Sequence, residues 1–308
     1  MIHSTDRILM VRPENFGFNS ETAFSNAFQF SVDLDAIQIK NKVLQEFDRA
    51  VRLLRDCEID VTVINDTKTP VKPDAIFPNN WISMHENGQI TLYPMSAMNR
   101  RLERREDIVN ELSNKFEVKK VIDYSFNEEE DRIVEGTGSI IFDHKARCAY
   151  ACLSSRTNQS LFQKIAKDLN YKAFYFNAID ASGKAIYHTN VMMSIGSEYA
   201  MICLESIRDL QERELILKAL ENSGKAIVDL SLDQIKLFAG NTIELAPKDG
   251  RKILVLSASA HQSLRSDQIS VLEGFVALVP IPIPTIEKIG GGSIRCMIAE
   301  IFLPARNL

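Results

Sequence analysis

The sequence has no run of the roughly 18 apolar residues that a membrane-spanning helix needs. It does not open as a secretion signal either. Between Met1 and Arg12 charge arrives at Asp6 and Arg7, and no long apolar core follows. A cytoplasmic protein without a membrane partner is the expectation. Cysteine is scarce: Cys57, Cys148, Cys152, Cys203 and Cys296 are the five in 308 residues, and no two have C-x-x-C spacing. An odd count in a long chain argues against a disulfide framework, and the missing pair argues against a zinc site. Neither a G-x-G-x-x-G turn nor a Walker A motif occurs, which disfavours a nucleotide-binding doubly wound sheet. Excess positive charge is lacking too. The chain carries 36 Lys and Arg against 41 Asp and Glu, a formal net charge of -5. That removes the electrostatic footprint of nucleic-acid binding, but it leaves room for a local basic pocket that takes a small anion. No Pro- or Ser-rich linker and no low-complexity tract divides the chain, so residues 1–308 read as a single domain.

What is present is a 45% hydrophobic, 25% charged chain, which is a globular composition. A weak internal rhythm organises it. Ile76–Met95 reads as strand, turn, strand around Glu86-Asn87-Gly88. Ser139–Leu153 repeats this around Asp143-His144-Lys145, Val191–Leu204 around Gly196-Ser197-Glu198, and Thr242–Ala258 around Lys248-Asp249-Gly250. Paired apolar runs joined by turn residues are the signature of hairpins. Between them Asn99–Lys115, Asn158–Leu169, Glu205–Ser223 and His261–Leu272 carry helical apolar spacing. Strands such as Lys119–Ile122, Tyr171–Phe176 and Lys225–Asp229 follow. The unit is β-β-α-β, roughly fifty residues long, within the period range of repeat architectures. Ile8–Pro13, Asp35–Leu54 and Val61–Ile64 supply strand, helix and strand, and Ser293–Leu303 can complete that unit from the other end of the chain. The expectation is five α/β units in a ring, the first split across the termini, with a central hole.

Several residues could carry chemistry. Cys296 follows Gly290-Gly291-Gly292, where glycine allows a backbone to approach a ligand closely, and a thiol there is a candidate nucleophile. Taken alone, a cysteine is more commonly a small buried apolar residue. That reading stands for Cys148, Cys152 and Cys203, and Cys57 reads as structural. His188 is a candidate proton carrier, because histidine titrates near working pH. His85, His144 and His261 lie in or beside turns and read as surface residues. Glu135 sits among small residues, where a ligand could approach. Asn80 and Asn241 are ordinary loop asparagines in isolation. Position changes the odds. Asn80, Glu135, His188, Asn241 and Cys296 all fall at the start of a hairpin, one per unit, and equivalent positions in a ring face one central space.

These motifs resemble the pentein superfamily of arginine deiminases, dimethylarginine hydrolases and amidinotransferases. The resemblance spans the chain through Val11-Arg12-Pro13, Phe77–Trp81, Glu135-Gly136, Ser155-Arg156-Thr157-Asn158, His188-Thr189-Asn190 and the glycines before Cys296. It implies a five-bladed ββαβ propeller of pseudo-fivefold symmetry with a Cys296, His188 and Glu135 centre and no metal or cofactor. The text Met10–Pro13, Phe77–Trp81, Glu135–Ser139 and His188–Val191 is most similar to the citrulline-utilisation hydrolases. Arginine deiminases carry aspartate where this chain has Asn80 and Asn190. Two carboxylates suit a cationic guanidinium, whereas an amide offers a neutral ureido group both a donor and an acceptor. The resemblance therefore implies hydrolysis of citrulline, or a close derivative, to ornithine, carbon dioxide and ammonia through a covalent Cys296 intermediate. In that scheme Glu135 orients substrate nitrogens and holds His188 charged, and donors near the glycine loop meet the oxyanion. The alternative is a hydrolase or amidinotransferase acting on arginine or a derivative. Arg156 matches a carboxylate-binding arginine of the family, and Arg100 is a second candidate, although Arg100, Arg101, Arg104 and Arg105 also read as a solvated helix face. Asn190, Asn241 and Asn19 complete the expected substrate-binding set. The partner is a small amino acid, with no nucleic acid, and self-association is left open. A non-catalytic ring-shaped binding protein would lack the cysteine and histidine that are present here.

Overall fold

The computed structural model describes residues 3–306 except 25, 27, 31, 33 and 34. The outermost two residues at each end of the expected 1–308 domain lie outside the described residues. Among the described residues five three-stranded sheets form, each of one pattern. In the first, β1 (Arg7–Arg12) runs parallel to β2 (Asp60–Asn65), in register from Arg7 opposite Asp60 to Arg12 opposite Asn65. The second holds β3 (Ile82–Met84), β4 (Gln89–Leu92) and β5 (Lys120–Asp123). The third holds β6 (Ile141–Asp143), β7 (Cys148–Cys152) and β8 (Lys172–Phe176). The fourth holds β9 (Met193–Ile195), β10 (Tyr199–Ile202) and β11 (Ala226–Asp229). The fifth holds β12 (Ile243–Leu245), β13 (Ile253–Ser257) and β14 (Ala277–Ile281). Finally β15 (Ala299–Glu300) returns to pair antiparallel with β1 and closes the first sheet from the far end of the chain.

In each sheet, with β15 counted first in its own, the first two strands are antiparallel and the third is parallel to the second. A parallel pair needs a crossover, and helices supply it. Ala36–Asp56 crosses the first blade. It starts at a capping box, with Asp35 accepting from the Gln38 amide and Gln38 reaching back. Its Val43, Phe47, Ala50, Val51 and Leu54 stripe is buried. Gln159–Asp168 and Leu210–Asn222 cross the third and fourth blades. The apolar core is therefore four clusters, packed where sheets meet each other and their helices. The hub is left to polar groups. This is the α/β five-bladed ββαβ propeller that the motif order implies.

The helix bounds differ from the sequence expectation in three blades. Glu205–Ser223 opens on a short 3-10 turn, Leu204–Ser206, and becomes α-helix only at Leu210, because Asp209 caps the amides of Gln211 and Glu212. Asn99–Lys115 divides into Met98–Arg101 and Glu106–Lys115. His261–Leu272 lies across Ala258–Ser263 and Ser266–Glu273, interrupted where Leu264 turns extended. The surface reading of three histidines is corrected as well. His85 is buried, bonded to Ser83 Oγ at 2.8 Å, and His144 and His261 are half-buried.

Candidate active site

Before the first strand of every blade, the chain makes one tight turn toward the hub. Pro78–Asn80, Gly136–Ser139 and Thr189–Val191 are short helical turns, and the amides of Asn241 and Cys296 close equivalent turns on Phe238 and Ser293. Gly136 sits at φ +46, against the backbone of Asn79 and Asn80, so a Cβ there meets main chain. These turns bring Asn80, Glu135, His188, Asn241 and Cys296 into the hub, all buried.

The sulfur receives two amide donors. Asn190 Nδ2 lies 3.3 Å and Asn241 Nδ2 3.2 Å from Cys296 Sγ. Asn241 Nδ2 also reaches the Asn190 carbonyl at 3.1 Å. His188 Nε2 lies 2.7 Å from Glu135 Oε2. Burial alone would raise the Glu135 carboxyl, but Arg156, His188 and Arg100 outweigh it and hold Glu135 below the usual carboxylate range. For His188 the balance goes the other way. Burial pulls it down to about 4 against the bond and charge of Glu135, so the imidazole rests neutral rather than charged.

A second layer faces the same cavity, which is lined by Thr22, Asn26, Asp74, Arg100, Arg156 and Cys296 among others. Arg100 is 3% exposed, not part of a solvated helix face. Its guanidinium donates to Glu103 Oε1 and Oε2 at 2.9 and 3.0 Å and to Asn80 Oδ1 at 2.8 Å. Arg156 lies 3.5 Å from Glu135 Oε2, donates to the Thr22 carbonyl and stacks over Tyr187. Asn19 does not touch the sulfur. It caps the Ser20–Ala23 turn and donates to Asp74 Oδ2 at 2.7 Å. Three buried side chains at the hub are not singled out by the sequence reading. Asp74 stands three residues before Phe77 of the first motif, and Oδ1 of its buried carboxyl has no partner in the hub. Burial raises its pKa against Arg100 and Asn19. Glu103 is the i+3 partner of Arg100, a spacing that could have found it. Burial pushes Glu103 up to about 7 against the pull of Arg100. Tyr187, beside the histidine motif, donates to the Gly291 carbonyl at 2.9 Å.

The cavity measures about 20 Å³, room for roughly one water molecule. A cavity of that size is too small for an amino acid, and the segment bearing Thr22 and Asn26 forms part of its wall. That segment is tied down by Asn26 on the Gly290 and Gly291 carbonyls and by Asn19 on Asp74. Among the described residues no group of three or more His, Cys, Asp or Glu side chains is placed to hold a metal ion. No helix among them is long and apolar enough to cross a membrane.

A five-bladed propeller with cysteine, histidine and carboxylate in its hub defines the pentein class, of arginine-deiminase type. Within it, residues 12–303 match the family model "N,N dimethylarginine dimethylhydrolase, eukaryotic", and the chain belongs to that family. No protein of curated function matches it in sequence. Among solved structures it is similar to the N-terminal domain of ArgZ, an arginine dihydrolase of the cyanobacterial ornithine–ammonia cycle. That likeness has 17% identity over 97% of this chain and 98% of the other, with a TM-score of 0.73. Unliganded AgrE shares 16% identity over 98% of this chain and 40% of its own, with a TM-score of 0.72. A dimethylarginine dimethylaminohydrolase, solved as an adduct with 4-chloro-2-hydroxymethylpyridine, shares 14% identity over 97% and 100%, with a TM-score of 0.65. At these identities the likenesses show the fold.

Proposed function

We propose that this chain is a cysteine hydrolase acting at the guanidine carbon of arginine or a close derivative. One observation carries the choice of a cationic substrate. The buried carboxyls Asp74, Glu103 and Glu135 around the hub face the guanidiniums of Arg100 and Arg156, and Glu135 also faces the neutral imidazole of His188. Burial raises the Asp74 and Glu103 carboxyls, and a substrate of net charge +1 favours their ionised forms, bringing three carboxylates into balance with the two guanidiniums and the substrate. The family and the substrates named for its structural neighbours support the same reading.

In the proposed reaction neutral His188 takes the proton of the Cys296 thiol as Sγ bonds to the guanidine carbon. His188 passes that proton to the departing nitrogen, which leaves as ammonia or an alkylamine. The carbon stays on sulfur as an S-alkylthiouronium. Water then adds to it, giving a proton to His188. The C–S bond breaks, the sulfur regains a proton and the urea product leaves. Asn80 and Glu135 orient the reacting nitrogens, Arg156 and Arg100 attract the substrate carboxylate, and Asp74 Oδ1 accepts from its ammonium. These steps balance without a metal or organic cofactor.

A second reading, hydrolysis of citrulline to ornithine, carbon dioxide and ammonia, is favoured by Asn80 and Asn190. Both place amides where arginine deiminases carry carboxylates. Asn80 Nδ2 and Asn190 Oδ1 are buried without partners, one spare donor and one spare acceptor. The test offers purified protein L-arginine, Nω,Nω-dimethylarginine and L-citrulline in parallel, with Cys296→Ser as control. Citrulline appearing with ammonia or dimethylamine is the expected result. Ornithine and ammonia from citrulline alone would replace it with the second reading. No product from any of the three would overturn both.

A further inference from the structure

One buried carboxyl outside the hub belongs to none of these steps. Glu287 lies on the helix Pro284–Gly290, just before the glycine run, and is 6% exposed. Its partners are serine hydroxyls. Ser293 Oγ donates to Oε1 at 2.6 Å and Ser259 Oγ to Oε2 at 2.5 Å. Ser257, which ends β13, holds Ser259 Oγ at 3.0 Å and so joins the group through it. Its main-chain carbonyl accepts from the Gly291 amide at 2.9 Å, and the Ser293 carbonyl accepts from the Cys296 amide at 3.0 Å. Gly291 is left-handed at φ +63, a conformation that frees the loop from helical geometry without fixing its direction. The carboxylate therefore ties the Gly291–Cys296 turn to the end of β13 and to the helix Ala258–Ser263, both in the fifth blade.

Desolvating a carboxyl is costly, and an apolar residue could fill this space instead. What an apolar residue could not do is accept from two donors in fixed directions. Glu46 secures the other end of the same helix, accepting from the amides of Thr285 and Ile286 at 3.0 to 3.1 Å. The helix that leads into the nucleophile loop is thus anchored at both ends by acids.

We propose that Glu287 is a positioning residue that sets Cys296 Sγ in line with the reacting carbon. The inference rests on the reading of Cys296 as nucleophile, not on the identity of the substrate. The experiment compares Glu287→Ala, Glu287→Gln, Ser293→Ala and Ser259→Ala by kcat, by KM and by the rate of iodoacetamide alkylation at the Cys296 peptide. Misplacing a nucleophile by a fraction of an ångström lowers the chemical step, so kcat should fall about 10-fold or more in Glu287→Ala and Ser293→Ala. Their KM stays within about twofold, because substrate binding is separate from the chemical step. Cys296 alkylation slows in parallel. Glu287→Gln recovers most of both rates, since its amide oxygen still accepts from Ser293. Ser259→Ala, which loosens the anchor but keeps the Ser293 bond, loses clearly less than Ser293→Ala. Folded Glu287→Ala with the parent's kcat and alkylation rate would overturn the proposal. So would equal losses in Ser259→Ala and Ser293→Ala, which would mean general loosening. If Glu287→Ala does not fold, Ser293→Ala decides. If the parent turns over none of the substrates offered, the proposed function fails, while the alkylation rates still decide the role of Glu287.

Discussion

At the residue scale, the arrangement around Cys296 Sγ differs most from what the sequence suggests. Asn190 and Asn241 read as substrate binders, yet both amides donate to the sulfur. An N–H donor against sulfur steadies it as negative charge develops there. A carboxylate at the same place would repel that charge. Asn190→Asp should therefore lower kcat at neutral pH by about 10-fold or more, with the protein still folded. An unchanged kcat in steady-state assays would mean that the Asn190 amide has no part in the reaction. Asn80, Glu135, His188, Asn241 and Cys296 were legible because each opens a hairpin at an equivalent point of the repeat. Asp74 and Glu103 were not, because nothing in a linear sequence says which carboxylates end up under an arginine in the hub.

At the scale of elements, the turn before each blade does the positioning. Gly138 shows how little room it has. A Cβ at this position would meet Asn80 Nδ2 and lie 2.8 Å from His188 Nδ1. Both neighbours are side-chain ends, so the backbone can stay while the site is pushed apart. Gly138→Ala should keep its far-UV spectrum and cooperative melting but lose about 100-fold in kcat, as a displacement near 1 Å can cost. Melting without loss of turnover would show that the site accommodates the methyl. Helix Gln159–Asp168 offers a separate check. Asn158 Oδ1 caps it by accepting from the Leu161 amide at 3.1 Å, so Asn158→Ala should cost about 1 kcal/mol in urea unfolding and nothing in kcat. The hairpin turns were readable from residues such as Gly88 and Gly250, both at positive φ. The helix bounds were less so. Apolar spacing runs on through Glu205–Asp209, while the actual start depends on which side chain captures the free amides.

At the scale of the whole molecule, burial of histidines ties stability to pH. The folded protein keeps His188 neutral down to about 4, against an ordinary value of 6.5. His85 is pulled down to about 3 by burial, and His144 is also lowered by burial. The unfolded chain protonates all three first. From these three, unfolding takes up protons below about pH 6.5 and stability falls as pH drops through that interval, a trend that Glu103, raised to about 7, and Asp74, also raised by burial, offset in part. Glu135, held below its ordinary 4.5, adds the same sign at lower pH: its contribution is present above 4.5 and lost beneath it. Urea midpoints at pH 7, 6 and 5 should decrease stepwise, and His188→Asn should decrease less. Equal slopes would mean that folded His188 is already charged. Ring closure also belongs to this scale. β15 brings Ala299 and Glu300 from the far end of the sequence onto β1, with Ile301 and Leu303 fully buried behind it. Deleting residues 299–306 should abolish the cooperative thermal transition, as seen by circular dichroism.

The sequence by itself determined the repeat, the hairpins and the convergence of five hub positions. Those follow from local periods and turn chemistry, and a ring places equivalent positions together whatever the details. Only the tertiary structure decided the charge of the site, the burial of Arg100 and His85, the resting neutrality of His188 and the two amides on the sulfur. Each is a balance between desolvation and a partner from a distant blade, and neither exists until the blades close around the hub.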